Sequence, residues 1–329
     1  MPYIDVTQPW WDEGSYEALA ICGKHYGITG DVTTRKMECV WTMCFNKSMI
    51  ADYTLESPYE LVKSGDWTLD KVVEMSKSIA HDFDGDGEMT QNDVWGINYT
   101  GDTTIGIMNG CGIKIVENDS DGIPRLTIDS EANINKVQRI WEQLFNRSYS
   151  VDTLFTYWLA DTEIFADNRS LFLFTGTHQL GELRKTEMEF GIVPYPKYDT
   201  AQPDYLPSTA GIFLSIVCVP ITNSDFDNTG IFLEAFAFEG RKTLIPAYYD
   251  IILKTKVSRD EESAEMLDYI YTNIMYDTGN LYDFGELAGI FGYYMTTTPN
   301  ANVVSSIEKN RNIWEGAMNK LVEEVEKSL

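Results

Sequence analysis

Short apolar runs of strand character alternate with amphipathic helical stretches along the chain, and this alternation is the strongest constraint on its fold. It requires a sheet covered by helices, an α/β architecture. The spacing predicts a helix over 67–80: Thr68 can cap it, Asp70 suits its positive end, and Leu69, Val72, Val73, Ser76, Ile79 and Ala80 share one face. A second helix is expected over 131–145, where Ile134, Val137, Ile140, Trp141, Leu144 and Phe145 recur at helical spacing. Ser258 and Glu261 have capping-box spacing ahead of a helix running through Met266, Leu267, Ile270 and Ile274. Ser305 and Glu308 repeat it ahead of a long C-terminal helix carrying Ile307, Arg311, Trp314, Met318, Leu321 and Val325. Strands are expected at 39–45, 171–175, 190–194 and 211–219, and a hairpin at 115–128 with Asp119-Ser120-Asp121-Gly122 at its tip. Pro194, Pro196, Pro203 and Pro207 bracket an ordered coil that approaches a domain crossover.

A length of 329 residues suggests two domains. With 43% hydrophobic and 13% aromatic residues the chain can build full cores, which excludes disorder as its main state. The 51 acidic residues outnumber the 25 basic ones, giving a net charge of −26. Nucleic-acid and anionic-membrane binding both need dense Lys and Arg, so neither is expected. The longest apolar run, 211–221, is far short of the roughly 20 residues that span a bilayer, so no direct membrane insertion is expected. Met1-Pro2-Tyr3-Ile4-Asp5 has neither the basic start nor the apolar core of a secretory signal, and no lipobox is present. The five cysteines, Cys22, Cys39, Cys44, Cys111 and Cys218, are odd in number and lack CxxC spacing. Buried free thiols are expected, as for Cys218 within Ser215-Ile216-Val217-Cys218-Val219.

The sharpest chemical motif runs from Asp82 to Asp93. Asp82, Asp84 and Asp86 fall at positions 1, 3 and 5 of a twelve-residue loop, with Gly87 at the sharp turn. Glu88 at position 7 can offer its carbonyl, Thr90 stands at 9 and Asp93 at 12. Oxygen donors at this spacing suit Ca2+, held as a structural clip. Position 12 departs from the pattern, being Asp rather than the longer Glu, and Trp95-Gly96-Ile97 does not read as a following helix. The alternative is an acidic surface turn without an ion.

Aromatic residues form the second signal. Trp10, Trp11, Tyr16, Tyr26, Trp41, Tyr99, Tyr157, Trp158, Tyr248, Tyr249, Tyr293, Tyr294 and Trp314 are spread along the chain, many beside Asp, Asn, Thr or Gly. Flat rings flanked by carboxylates and amides suit sugars, which present apolar C–H faces and a rim of hydroxyls. Each ring is equally a candidate for core packing. Catalytic constellations are poor: His25, His81 and His178 lie far apart, and HExxH, GxSxG and phosphate-loop motifs are missing.

Several segments in order resemble the family 1 extracellular solute-binding proteins of carbohydrate ABC importers, the superfamily of maltose-binding protein. They are Pro9-Trp10-Trp11-Asp12, Gly23-Lys24-His25-Tyr26, Gly30-Asp31, Phe45-Asn46-Lys47, Trp67-Thr68-Leu69-Asp70-Lys71 and the 82–93 loop. Phe165-Ala166-Asp167-Asn168-Arg169-Ser170-Leu171-Phe172, Phe190-Gly191-Ile192-Val193-Pro194-Tyr195-Pro196, Thr209-Ala210-Gly211, Pro246-Ala247-Tyr248-Tyr249-Asp250 and Arg259-Asp260-Glu261-Glu262-Ser263 continue the series. The resemblance implies a type II periplasmic-binding-protein-like fold of two α/β lobes, with residues 1–46 and 211–290 as an N-terminal lobe that is incomplete. Residues 47–210 and 291–329 would form the C-terminal lobe. It further implies a non-catalytic protein at the extracellular face that binds an oligosaccharide in the inter-lobe cleft and delivers it to ABC permease membrane subunits. The rivals are a glycosidase and a truncated paralogue that no longer binds sugar.

By this resemblance the chain is expected to start after the family's signal peptide, lipobox and first β/α units, so that strands 39–45 and 211–219 lack neighbours and expose apolar edges. Carried over position by position, the ligand-binding candidates are Asp31, Glu38 and Trp41 (the last two on the strand before Phe45-Asn46-Lys47), Tyr99, His178 and Trp314. His178 stands where many members place a stacking Trp.

Overall fold

The computed structural model describes residues 1–153, 160–250, 253, 260–298 and 302–327. Ser258, Tyr157 and Trp158 therefore lie outside the described residues. In chain order the strands are β1 (Ala20–Ile21), β2 (Lys24–His25), β3 (Trp41–Asn46), β4 (Trp95–Tyr99), β5 (Val116–Asn118), β6 (Pro124–Leu126), β7 (Ser150–Asp152), β8 (Ser170–Gly176) and β9 (Phe190–Val193). One five-stranded sheet, ordered β7-β4-β8-β3-β9, organises the larger part of the molecule. β4 runs parallel to β7 and β8, whereas β3 runs antiparallel to β8 and β9. β5 and β6 form the expected hairpin.

The central strands are enclosed on both faces, which explains their nearly unbroken apolar sequence. Met43, Phe45, Phe172 and Phe174 enter one core. Val40, Cys44 and Leu173 point the other way into a second. The first core is roofed by three helices. Leu69–Ile79 contributes Val72, Val73 and Met75, Glu131–Leu144 contributes Val137 and Ile140, and Val303–Lys327 contributes Ile307 and Met318. The second core is closed by Leu180, Leu183, Leu267 and Ile270. Gly96 lets the Leu69–Ile79 helix lie directly on β4, because a Cβ there would stand 2.4 Å from Cβ of Ser76.

Helix starts follow side-chain chemistry. Thr68 caps as expected, accepting from the Lys71 N–H, and Ser130 plays the same part for the second helix, accepting from the Asn133 N–H. The Glu261–Ile270 helix is capped by Asp260, whose carboxylate accepts from the Ser263 N–H at 2.6 Å. It stops at Ile270 and does not reach Ile274. The C-terminal helix begins at Val303, two residues before the expected Ser305 cap, because the Asn302 side chain accepts from the Ser305 N–H at 2.9 Å.

A smaller region stands apart from the main sheet. Its core joins Trp11, Ile28 and Ala237 to Ile4, Val6, Trp10, Val217 and Leu233. The Phe226–Pro246 helix covers it, and Glu234 on that helix accepts from the indole N–H groups of both Trp10 and Trp11, at 3.0 and 2.8 Å. The strand expected at 211–219 does not form. Gly211–Phe213 is a 3-10 turn, and beyond it the ladder shrinks to one bridge between Ile28 and Val217. A strand exists only where a second one accepts its hydrogen bonds, and among the described residues none lies alongside this segment. For the same reason Cys218 is exposed rather than buried, while Cys39, Cys44 and Cys111 are buried free thiols.

Strand β3, by contrast, has two neighbours and presents no free edge. Its pairing joins Trp41–Asn46 to Ser170–Gly176 and Phe190–Val193. The change of region occurs at crossovers lying side by side: Val40 bridges Thr209, and Ser208 bridges Met275. Backbone bonds from Trp41 N to Ser208 O (2.9 Å), Ala210 N to Cys39 O (2.7 Å) and Met275 N to Pro207 O (2.7 Å) hold them.

Candidate functional site

β4 and β8 are parallel, so their carboxyl ends lie at one end of the sheet, and antiparallel β3 brings its first residue there too. Trp41 is in register with Gly176, and Tyr99 with Asp152. Ligands of open α/β sheets bind outside the carboxyl ends of strands. A cavity of about 220 Å³ lies there, at the crossovers, lined by Trp41, Asp102, Ile105, Asn280 and Asp283 with small residues between them. Larger hollows of about 660 and 600 Å³ lie beside the hairpin tip and beside Lys36 and Arg241, and neither is lined by a main-sheet strand.

The Trp41 indole reaches the cavity because position 106 is glycine: a Cβ on Gly106 would stand 2.3 Å from indole Cδ1. Trp41 Nε1 is buried and has no hydrogen-bond partner among the described residues. Asp102 sits in the Gly101–Thr103 turn directly after β4, with its carboxylate accepting from the Thr100 hydroxyl. Asn280 donates to the Thr209 carbonyl at 2.8 Å and so ties the Thr278–Tyr282 helix to a crossover. Asp283 ends that helix in the left-handed region, φ 45°, and accepts from the Ala288 N–H at 2.7 Å. Burial pushes its carboxyl above the ordinary carboxylate range, and Glu286 adds to the shift.

The expected ligand residues divide into two groups. Trp41 and His178 come together: a Cβ on Gly176 would stand 2.6 Å from His178 Nδ1 and 3.5 Å from Trp41 Cε3. His178 occupies the turn after β8, half-buried, with its ring 5.7 Å from Phe213. Burial holds its imidazole below the ordinary value, against the pull of the Asp102 carboxylate. The other four lie elsewhere. Tyr99 is 2% exposed and packs on Phe145 at 4.7 Å, and burial pushes its phenol up. Trp314 is fully enclosed and stacks on Phe291 at 5.9 Å. Asp31 is enclosed in the smaller region, paired with Lys36 and, at 3.5 Å, with Arg241. Glu38 is not on the strand expected for it. It ends the short Arg35–Glu38 helix, where it pairs with Arg35 at 3.0 Å and Thr34 at 2.5 Å.

Asp102, Asn280 and Asp283 are cavity residues that the sequence did not single out. A carboxylate one turn past a strand marks Asp102, and the Asn280–Asp283 spacing marks one helical face, but only the crossovers bring them together.

The acidic loop is a closed unit. His81 and Val94 bridge across its base with paired backbone bonds of 3.0 and 3.2 Å. Asp93 folds inward: Oδ1 accepts from the Phe83 N–H at 2.8 Å and Oδ2 from the Thr90 N–H at 2.6 Å. Asp82 accepts from the N–H groups of Gly85 and Gly87, and Asp86 from that of Glu88. Asp82, Asp84 and Asp86 each bring a carboxylate oxygen within 4.8 Å of the others. Trp95, opening β4, donates its indole N–H to the Thr90 carbonyl at 2.9 Å and anchors the loop to the sheet.

No protein-family model matches the sequence, and no curated protein matches it. Solved structures do match in fold. An ABC substrate-binding protein from Listeria monocytogenes, solved with cycloalternan, aligns with TM-score 0.56 at 13% identity over 97% of this chain and 77% of its own. A cyclo/maltodextrin-binding protein complexed with maltotetraose gives 0.57 at 12%, over 99% and 76%. UgpB from Mycobacterium tuberculosis, in complex with glycerophosphocholine, gives 0.58 at 13%, over 97% and 76%. The chain has the mixed α/β fold of ABC substrate-binding proteins. Among the described residues, no helix is long and apolar enough to cross a membrane.

Proposed function

We propose that the protein binds a carbohydrate in the 220 Å³ cavity and passes it unchanged to the membrane subunits of an ABC importer, acting at the extracellular face. The observation that carries this reading is the convergence of the Trp41 indole with the polar side chains of Asp102, Asn280 and Asp283 where the crossovers meet the sheet ends. The indole offers a flat face to sugar C–H groups, and the carboxylates and amide suit hydroxyls. His178 stands beside the indole as a second ring. Because the cavity borders the crossovers, a bound sugar touches Trp41 and Asp102 on one side of them and Gly211 and Asn280 on the other, and favours the arrangement that holds these together. The cycloalternan and maltotetraose bound in two structures of similar fold support a saccharide.

Titration calorimetry over a sugar panel tests the reading. Saturable binding with recovery of intact sugar supports it, and Trp41→Ala is expected to weaken binding at least tenfold. Release of a cleaved product favours a glycosidase instead.

We also propose that the 82–93 loop holds one Ca2+ as a structural clip. Asp82, Asp84 and Asp86 present hard oxygen donors at matching spacing, and a divalent ion would offset their mutual repulsion. Added calcium should raise the melting temperature and a chelator should reverse the rise. A melting temperature indifferent to both removes the ion from the account.

A further inference from the structure

We propose that the cavity selects a compact ligand carrying a protonated amine beside hydroxyl groups, a single-ring amino sugar, over a neutral sugar of the same size. The inference rests on the carbohydrate-binding reading and refines it. Size comes first. A volume of about 220 Å³ lies below the roughly 300–1,000 Å³ of ordinary small-molecule sites, which leaves room for one ring rather than a chain of them.

Charge comes second. The lining holds two carboxylates, Asp102 and Asp283, and no Lys, Arg or His among its described residues. Neither carboxylate has an ion-pair partner among the described residues: Asp102 takes the Thr100 hydroxyl, and Asp283 takes the Ala288 N–H. Elsewhere enclosed carboxylates are compensated more fully: Asp277 accepts from the Asn109 amide and the Ile115, Val116 and Gly279 N–H groups, and Asp93 from the Phe83 and Thr90 N–H groups. Asp31 faces Lys36 and Arg241, and Asp260 faces Lys47. A partly desolvated carboxylate without a cation is costly, and two at one cavity are costlier. The nearby His178 does not offset them, since burial disfavours its charged form.

An ammonium group on the ligand meets both needs. It pairs with the carboxylates, and the Trp41 indole face attracts cations. The same field disfavours acidic sugars.

Calorimetry of the full chain with D-glucosamine, D-glucose, N-acetyl-D-glucosamine and D-glucuronate tests this. Glucosamine is expected to bind at least tenfold more tightly than glucose or the N-acetyl sugar, with affinity falling as salt rises, and glucuronate to give no heat. In Asp283→Asn the glucosamine-to-glucose preference should collapse toward one, and Asp102→Asn gives the same readout if the first variant does not fold. Equal affinity for glucosamine and glucose overturns the inference and leaves carbohydrate binding standing. Silence toward all four sugars from a folded protein overturns this inference, and silence across the wider sugar panel as well overturns both.

Discussion

Two apolar segments of the chain begin from the same kind of sequence and end differently. Ser170–Gly176 becomes the central strand β8, fully buried between β4 and β3. The 211–219 segment, as rich in β-branched and aromatic residues, becomes a 3-10 turn and an irregular run held by one bridge. Composition cannot account for the difference; neighbours do. β8 finds a partner on each side and a core on each face, whereas the other segment touches Ile28, Cys39, His178 and Asn280 with a single bridge as its only strand-like pairing among the described residues. A β-propensity is a capacity to pack on a pleated surface, and it goes unexpressed where that surface is missing.

The same contrast separates the two regions, and substitutions can break or sharpen it. The largest effect is expected in the main sheet: Phe172→Ala should cost about 3–5 kcal/mol in denaturant unfolding, since the site is sealed. Leu233→Ala, in the half-closed smaller core, should cost well under half as much. Equal losses would contradict the division into a tight and a loose region. Next, Glu234→Ala strips two indole N–H groups of their carboxylate and should cost about 1.5–3 kcal/mol. Its signature is faster amide exchange within 5–31 with 170–176 unchanged. Gly96→Ala forces a methyl into the backbone of Ser76 and should cost about 1–3 kcal/mol, confined to the main sheet.

The smallest effect is a pH dependence. Burial depresses the folded-state value of His178, so the unfolded chain binds the proton more readily. The stability it contributes is complete above the unfolded value near 6.5 and is lost as pH falls below it. His178→Gln should flatten the melting temperature between about pH 5 and 6.5. A wild-type curve already flat there removes His178 from the pH response.

Much of this was legible in the residues. The helices around 69–79 and 131–144 follow from periodicity, and the first from its Thr68 cap as well, because both are local properties. The hairpin followed from its Asp-Gly tip for the same reason. Strand order was not legible, since nothing in 150–152 says that it will pair with 97–99. The acidic loop could be numbered position by position, yet the inward turn of Asp93 depends on which N–H groups the fold leaves nearby. Of the candidate binding residues, Trp41 and His178 meet because β3 and β8 pair in one register. Asp102 and Asp283 are separated by 181 positions and meet only because the chain crosses between regions several times.

The bridge at the base of the acidic loop has a practical consequence. With His81 and Val94 paired, the polypeptide leaves and re-enters the body of the protein at adjacent points. The exposed tip at 83–88 is expected to be exchangeable without moving β4 or the Leu69–Ile79 helix, because lengthening a closed loop twofold costs only about 0.6 kcal/mol. That makes the position a natural socket for a lanthanide tag or a fluorescent reporter, one that would sense the body of the protein through the Trp95–Thr90 tether.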